Sequence, residues 1–229
     1  MKKHEVRGWI EEVGIVAAVR VYSTDDALFA AEAIVAGGIP VIEVALTVPK
    51  AMAVISEIVK HYPQAVVGAG GVRKVETAHR CIEAGARFLT SDGLHRQFIE
   101  FAAQEEVVAM PGALTPTEVM EAWEARSDYV KVVPCTQIGG ERYIQSLHRM
   151  FPEIPLIASG GVDQQNASKF ILAGAVALGI GTELIPSEAI RLRQSDRIGE
   201  LAHRFLGFVK AGRDHLAARK TRQMAMDGA

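Results

Sequence analysis

Apolar residues along this chain follow two periods in turn. Between residues 14 and 180, short β-branched runs alternate with longer stretches whose apolar positions recur at helical spacing, the patterns of buried strands and of amphipathic helices. Eight strands are predicted, at 14–20, 40–46, 65–69, 88–91, 107–110, 128–134, 155–158 and 175–180. Helical patterns at 50–61, 74–84, 97–105, 140–150 and 164–173 fall between them. Two more helices are announced by start signals. Ser23-Thr24-Asp25-Asp26 precedes an alanine-rich segment that ends before Gly37-Gly38, and Thr115-Pro116-Thr117-Glu118 forms a capping box with proline at the first helical position. Val6, Trp9, Ile10 and Val13 mark an amphipathic N-terminal helix, and Leu201, Phe205, Phe208 and Val209 a final helix.

Regular βα repetition with right-handed crossovers implies a parallel sheet. Eight units in 229 residues favour closure into a (β/α)8 TIM barrel over an open doubly wound sheet. One domain spanning 1–229 is expected, with an N-terminal helix at 1–13, a barrel core at 14–185 and a C-terminal helical extension at 186–229. The tail 213–229 mixes basic residues with alanine and methionine and reads as a frayed, solvated end.

Composition narrows the partners. The chain is 49% hydrophobic and 23% charged with a formal net charge of -2, ordinary globular values that give no electrostatic reason for a nucleic-acid or membrane partner. A small-molecule substrate is expected. Cys81 and Cys135 stand far apart in no redox or zinc spacing, and the histidines are scattered with no two at ligand spacing on one element, so no metal site is expected. The N-terminus lacks the apolar run of a secretion signal and no stretch is apolar for long enough to span a bilayer, which points to the cytoplasm.

Two charged residues interrupt runs that should be buried. Lys131 stands inside Tyr129-Val130-Lys131-Val132-Val133, where alternation puts Tyr129, Lys131 and Val133 on one face. Such a lysine is either paired or snorkelling near a strand end, or it is an amine held in apolar surroundings as a nucleophile toward a carbonyl. Glu43 is framed in the same way by Val41, Ile42 and Val44. If both face the barrel interior they share one pocket, and because a buried ion pair stabilises little once desolvation is counted, a catalytic pair is the better reading. Ser159-Gly160-Gly161-Val162 follows the seventh strand and Gly179-Ile180-Gly181-Thr182 the eighth, where loops of a barrel mouth can cradle an anion with backbone N–H groups. Gly68-Ala69-Gly70-Gly71 supplies a further close-approach loop at that mouth, and Cys135 shares the inward parity of Lys131.

Taken together, these segments resemble the bacterial 2-keto-3-deoxy-6-phosphogluconate and 4-hydroxy-2-oxoglutarate aldolases. The similarity runs from about Gly14 to Thr182. It rests on Ala36-Gly-Gly-Ile39, Val41-Ile-Glu-Val-Ala-Leu46, Val67-Gly-Ala-Gly70, Ala84-Gly-Ala-Arg-Phe88, Met110-Pro-Gly112, Thr115-Pro-Thr-Glu118, Lys131-Val-Val-Pro134, Gly139-Gly140 with Tyr143, and Ser159-Gly-Gly-Val162 with Asn166. The resemblance implies a class I aldolase, usually homotrimeric and independent of metals and cofactors. Lys131 would be the Schiff-base lysine, Glu43 the general acid/base, and Gly160, Gly161, Gly181 and Thr182 the phosphate or distal-anion site. It would cleave or form a 2-keto-3-deoxy sugar acid or 4-hydroxy-2-keto acid, releasing pyruvate and an aldehyde.

The chain also departs from that pattern. Where Glu-Val-Thr-Leu-Arg-Thr is usual, it has Glu43-Val-Ala-Leu-Thr47-Val48, so the carboxylate-binding arginine is replaced by Thr47. Gly71 stands for the threonine of Gly-Ala-Gly-Thr, Val133 for an aromatic, and Ser91-Asp92-Gly93 for Ser-Pro-Gly. Arg20, at the end of the first strand, becomes the cation expected to meet an anionic substrate. Two other readings stay open at this level, a phosphate-binding barrel isomerase or epimerase that uses Glu43 without a covalent step, and a non-catalytic sugar-acid-binding relative.

Overall fold

The computed structural model describes residues 1–227. Nine parallel strands form one sheet in the order β5-β4-β3-β2-β1-β9-β8-β7-β6. They are β1 (Ile15–Val19), β2 (Val41–Ala45), β3 (Val66–Gly70), β4 (Phe88–Thr90), β5 (Val108–Met110), β6 (Gly112–Ala113), β7 (Val130–Val132), β8 (Leu156–Ser159) and β9 (Ala175–Ile180). Sequence patterning located eight of these to within a few residues. The ninth, β6, is a two-residue piece beyond Pro111, too short to carry a period. Pro111 has no N–H to donate and breaks the strand in two. β5 then pairs with β4 on one side while β6 pairs with β7 on the other. Across the break, the carbonyl of Ala109 accepts from the N–H groups of Asp128 and Tyr129, that of Pro111 from Lys131 and that of Ala113 from Val133. The ring closes at this seam, as an α/β TIM-type barrel.

Seven helices follow the strands around the outside: α2 (Thr24–Ala36), α3 (Ala51–His61), α4 (Val75–Glu83), α5 (Arg96–Gln104), α6 (Pro116–Glu124), α7 (Gly140–Met150) and α8 (Ala167–Leu172). Both predicted caps form. The Ser23 hydroxyl accepts from the Asp26 N–H at 3.0 Å, and Thr115 and Glu118 satisfy each other's backbone donors in a capping box. Helix α8 starts three residues later than its apolar pattern, because the Asp163 carboxylate accepts from the N–H groups of Gln165 and Asn166 and holds a turn there.

Helix α1 (Lys3–Val13) buries Val6, Ile10 and Val13 across the N-terminal ends of the strands and floors the barrel. Tyr129 reaches down to it and donates its hydroxyl hydrogen bond to Glu11 at 2.8 Å. The C-terminal segment divides into α9 (Ser187–Arg191) and α10 (Ser195–Asp227), separated where Arg193 takes φ +52°. Ile198, Ala202, Phe205 and Val209 seat α10 against α2 and α8. The expectation of fraying from residue 213 is corrected here. Helix geometry continues to Asp227, and the Arg213 guanidinium donates to the carbonyls of Glu11 and Glu12 at the end of α1. Residues 228–229 of that expected tail lie outside the described residues.

Candidate active site

Strand alternation places Tyr129, Lys131 and Val133 on the barrel's inner face in ascending layers. Tyr129 meets the floor helix, Lys131 lies midway, and Val133 lines the cavity above. The register sets Lys131 between Gly112 of β6 and Ile157 of β8, and Glu43 between Ala18 of β1 and Gly68 of β3. Both side chains point into one space at the C-terminal mouth, and each residue is only 5% exposed.

Lys131 and Glu43 are joined through Thr90. The Thr90 hydroxyl donates to Glu43 Oε2 at 2.9 Å and lies 3.4 Å from Lys131 Nζ, which donates to it. Lys131 Nζ also donates to Asp92 Oδ1 at 3.0 Å. A hydrogen-bonded chain thus runs Asp92, Lys131, Thr90, Glu43. Room for Glu43 is made by Gly70, since a Cβ there would stand 2.2 Å from Glu43 Oε1. Burial alone would raise the Asp92 carboxyl, but Lys131 foremost, then Arg20 and Arg73, outweigh it and hold it below the usual carboxylate range.

Above this chain opens a cavity of about 1110 Å³. Of the residues singled out in the sequence, Arg20, Glu43, Thr47, Lys131, Gly160, Gly161, Gly181 and Thr182 all line it, whereas Gly71 does not. Gly71 takes φ +83° and turns the chain out of β3. Arg20 extends over the rim with its side chain 61% exposed, 3.9 Å from Asp92 Oδ2. Gly160 and Gly161 sit at φ +84° and +80°, conformations only glycine adopts freely. Their carbonyls are turned aside and occupied. Thr136 N–H donates to Gly160, and Thr136 Oγ1 and Asn166 Nδ2 donate to Gly161 at 2.8 and 2.9 Å. Glu183 and Arg191 complete this distal end, both exposed.

Cys135 is buried but does not line the cavity; its thiol donates to the Gly160 carbonyl, and burial pushes it up to about 11. Among the described residues, no three His, Cys, Asp or Glu side chains converge to hold a metal ion. What the cavity offers is therefore an amine, two carboxylates and a hydroxyl in contact, beneath a polar mouth.

The family model described as KDPG and KHG aldolase matches residues 6–201. The chain belongs to this aldolase family. Among curated relatives of the family, the KHG/KDPG aldolase of Escherichia coli (strain K12) is 30% identical over 188 residues, covering 82% of this chain and 88% of the relative. Among solved structures, a Legionella pneumophila KDPG aldolase with pyruvate captured as a covalent carbinolamine intermediate superposes with a TM-score of 0.77 at 28% identity, covering 89% of this chain and 97% of that one. A porous protein cage designed by fusing symmetric oligomeric domains matches with a TM-score of 0.84 at 26% identity, covering 93% of this chain and 78% of the cage chain.

Two residues of the contact chain escaped sequence reasoning. Thr90 shares inward parity with Phe88, but a threonine ending a strand is ordinary β composition. Asp92 stood out only as a departure from Ser-Pro-Gly, and an aspartate in a turn after a strand is ordinary loop chemistry.

Proposed function

We propose that the chain is a class I aldolase in which Lys131 forms an imine with a 2-keto acid and Glu43 moves the protons. The observation that carries this reading is the contact of a buried amine and a buried carboxylate through one hydroxyl, at the base of an open cavity. The amine adds to the keto carbon, and loss of water gives a protonated imine. That imine is an electron sink, so the carbon–carbon bond one atom further on can break to leave an enamine, while the carboxylate takes the proton of the substrate hydroxyl. The carboxylic acid then gives its proton to the enamine carbon, and hydrolysis of the resulting imine frees pyruvate and returns the lysine. The aldehyde partner is of the glyceraldehyde 3-phosphate or glyoxylate type.

Arg20 and Thr47 are assigned to the substrate's anionic end near Lys131, and Gly160, Gly161, Gly181 and Thr182 to the distal end. The same reading makes the protein a cytoplasmic homotrimer that works without a cofactor, and the likeness to symmetric oligomeric domains of a designed cage supports a closed oligomer. Among the described residues, no helix is long and apolar enough to cross a membrane.

The test is covalent trapping. Incubation with pyruvate and borohydride should add one ligand mass at Lys131, and Lys131→Ala and Lys131→Arg should both lose trapping and turnover, since guanidinium stays protonated. A non-covalent isomerase would show no adduct. Retained turnover in Lys131→Ala would exclude the imine mechanism.

A further inference from the structure

Asp92 is left without a task by the reaction just described, yet its carboxylate makes the shortest contact of the Lys131 amine. Its placement is fixed by backbone packing rather than by the ion pair alone. The Ser91 hydroxyl donates to the Gly93 carbonyl at 2.7 Å and tightens the turn, and the Ser91 N–H donates to the Met110 carbonyl. Below the turn, a Cβ on Gly112 would lie 2.4 Å from the Asp92 carbonyl carbon, so only glycine lets the loop settle against β6, the strand beside Lys131. The two carboxylates also differ in surroundings. Glu43 is buried and reaches the amine only through Thr90, whereas the Asp92 side chain is 45% exposed and touches the amine directly.

We infer that Asp92 is a second catalytic carboxylate, which serves the lysine nitrogen while Glu43 serves the substrate. The inference rests on the imine mechanism proposed above. Asp92 takes one proton from the Lys131 ammonium, leaving a neutral amine and a carboxylic acid. The nitrogen lone pair forms the bond to the keto carbon as the C=O π electrons move onto oxygen, and a proton shifts from nitrogen to that oxygen to give the carbinolamine. Asp92 then returns its proton to the carbinolamine hydroxyl. The C–O bond breaks, water leaves, and the nitrogen lone pair closes the protonated imine. Charge and protons balance, with the carboxylate regenerated and no outside acid consumed. Partial exposure of Asp92 gives the departing water a route out.

The groups facing Asp92 are Lys131 from β7, Arg20 from the end of β1, Arg73 from the loop after β3, and Thr90 with Glu43 behind it. The cations keep Asp92 ionised through the neutral range, which gives imine formation a rate that is level with pH there.

The experiment compares trapping rates of pyruvate on the full chain, wild type against Asp92→Asn, from mildly acidic to alkaline pH. In the variant, trapping at neutral pH falls on the order of 10²-fold, and the level region is replaced by a rate that climbs with pH as hydroxide does the work of the lost base. Asp92→Glu keeps a level region but displaces its acid edge. A carboxylate that only steadies the ammonium predicts the reverse. Trapping in Asp92→Asn that is unchanged or faster, or a profile in Asp92→Glu identical to wild type, overturns the assignment while leaving the imine mechanism standing. Absence of any adduct in the wild type overturns both.

Discussion

The two ends of the cavity are built on different principles. At its base, Asp92, Lys131, Thr90 and Glu43 come from three strands and the turn after one of them and hold one another by hydrogen bonds, with all but the half-exposed Asp92 shielded from water. At its mouth, Gly160 and Gly161 are fixed by Thr136 and Asn166, but the side chains around them, Thr182, Glu183 and Arg191, are exposed. Buried contacts tolerate few substitutions, because each polar group removed leaves another unsatisfied. Solvated groups can change charge at little cost to the fold. The proposed roles follow the same division, with the chemistry assigned to the base and discrimination among substrates to groups that water already compensates.

The largest effect that this contrast predicts is at the base. Glu43→Gln keeps the shape and a partner for Thr90 but removes the proton acceptor, and kcat for aldol cleavage should fall about 10²- to 10⁴-fold with the pyruvate adduct at Lys131 still trappable. A kcat within a few-fold of wild type would move the proton transfers elsewhere. Arg20, on the rim, should matter less. Arg20→Ala should lower kcat/KM for a keto acid about tenfold, mainly through KM, which corresponds to about 1.5 kcal/mol, the low end for hydrogen bonds to a charged group because the guanidinium is exposed. Steady-state kinetics that leave KM untouched would remove Arg20 from substrate binding.

The smallest effect belongs to the mouth. Glu183 places a carboxylate next to Thr182, where a phosphate would meet like charge. Glu183→Gln should improve kcat/KM for a phosphorylated substrate by up to roughly fivefold at low salt, about 0.2–1 kcal/mol, and leave an unphosphorylated substrate unchanged. Equal response of the two substrates would separate Glu183 from the distal group.

What could be read from the sequence follows the same division. Lys131 and Glu43 were conspicuous because a charge inside a β-branched run violates burial, and parity alone then placed both on the inner face. The strands were legible for the same reason, since parallel strands covered on both faces are continuous apolar runs. Thr90 and Asp92 violate nothing locally. Their importance comes from the register that sets Thr90 beside Met110 and from the packing of Gly112 under the Asp92 turn, and pairings between distant segments leave no period to detect. Strand β6 was hidden because Pro111 cuts it to two residues, and the start of α8 because side-chain hydrogen bonds displaced it. Arg213 was misread for a related reason. Basic residues on a terminal helix resemble a solvated face until the carbonyls they meet, some 200 residues earlier, are known.

That clasp bears on the order in which the molecule is completed during synthesis. Helix α1 leaves the ribosome before the strands it packs under, and its apolar face has nothing to floor until they have emerged. The carbonyls at its end accept from the Arg213 guanidinium, which is synthesised only after the barrel strands, on the helix that packs against α8. An element made before the barrel is thus fastened by one made after it.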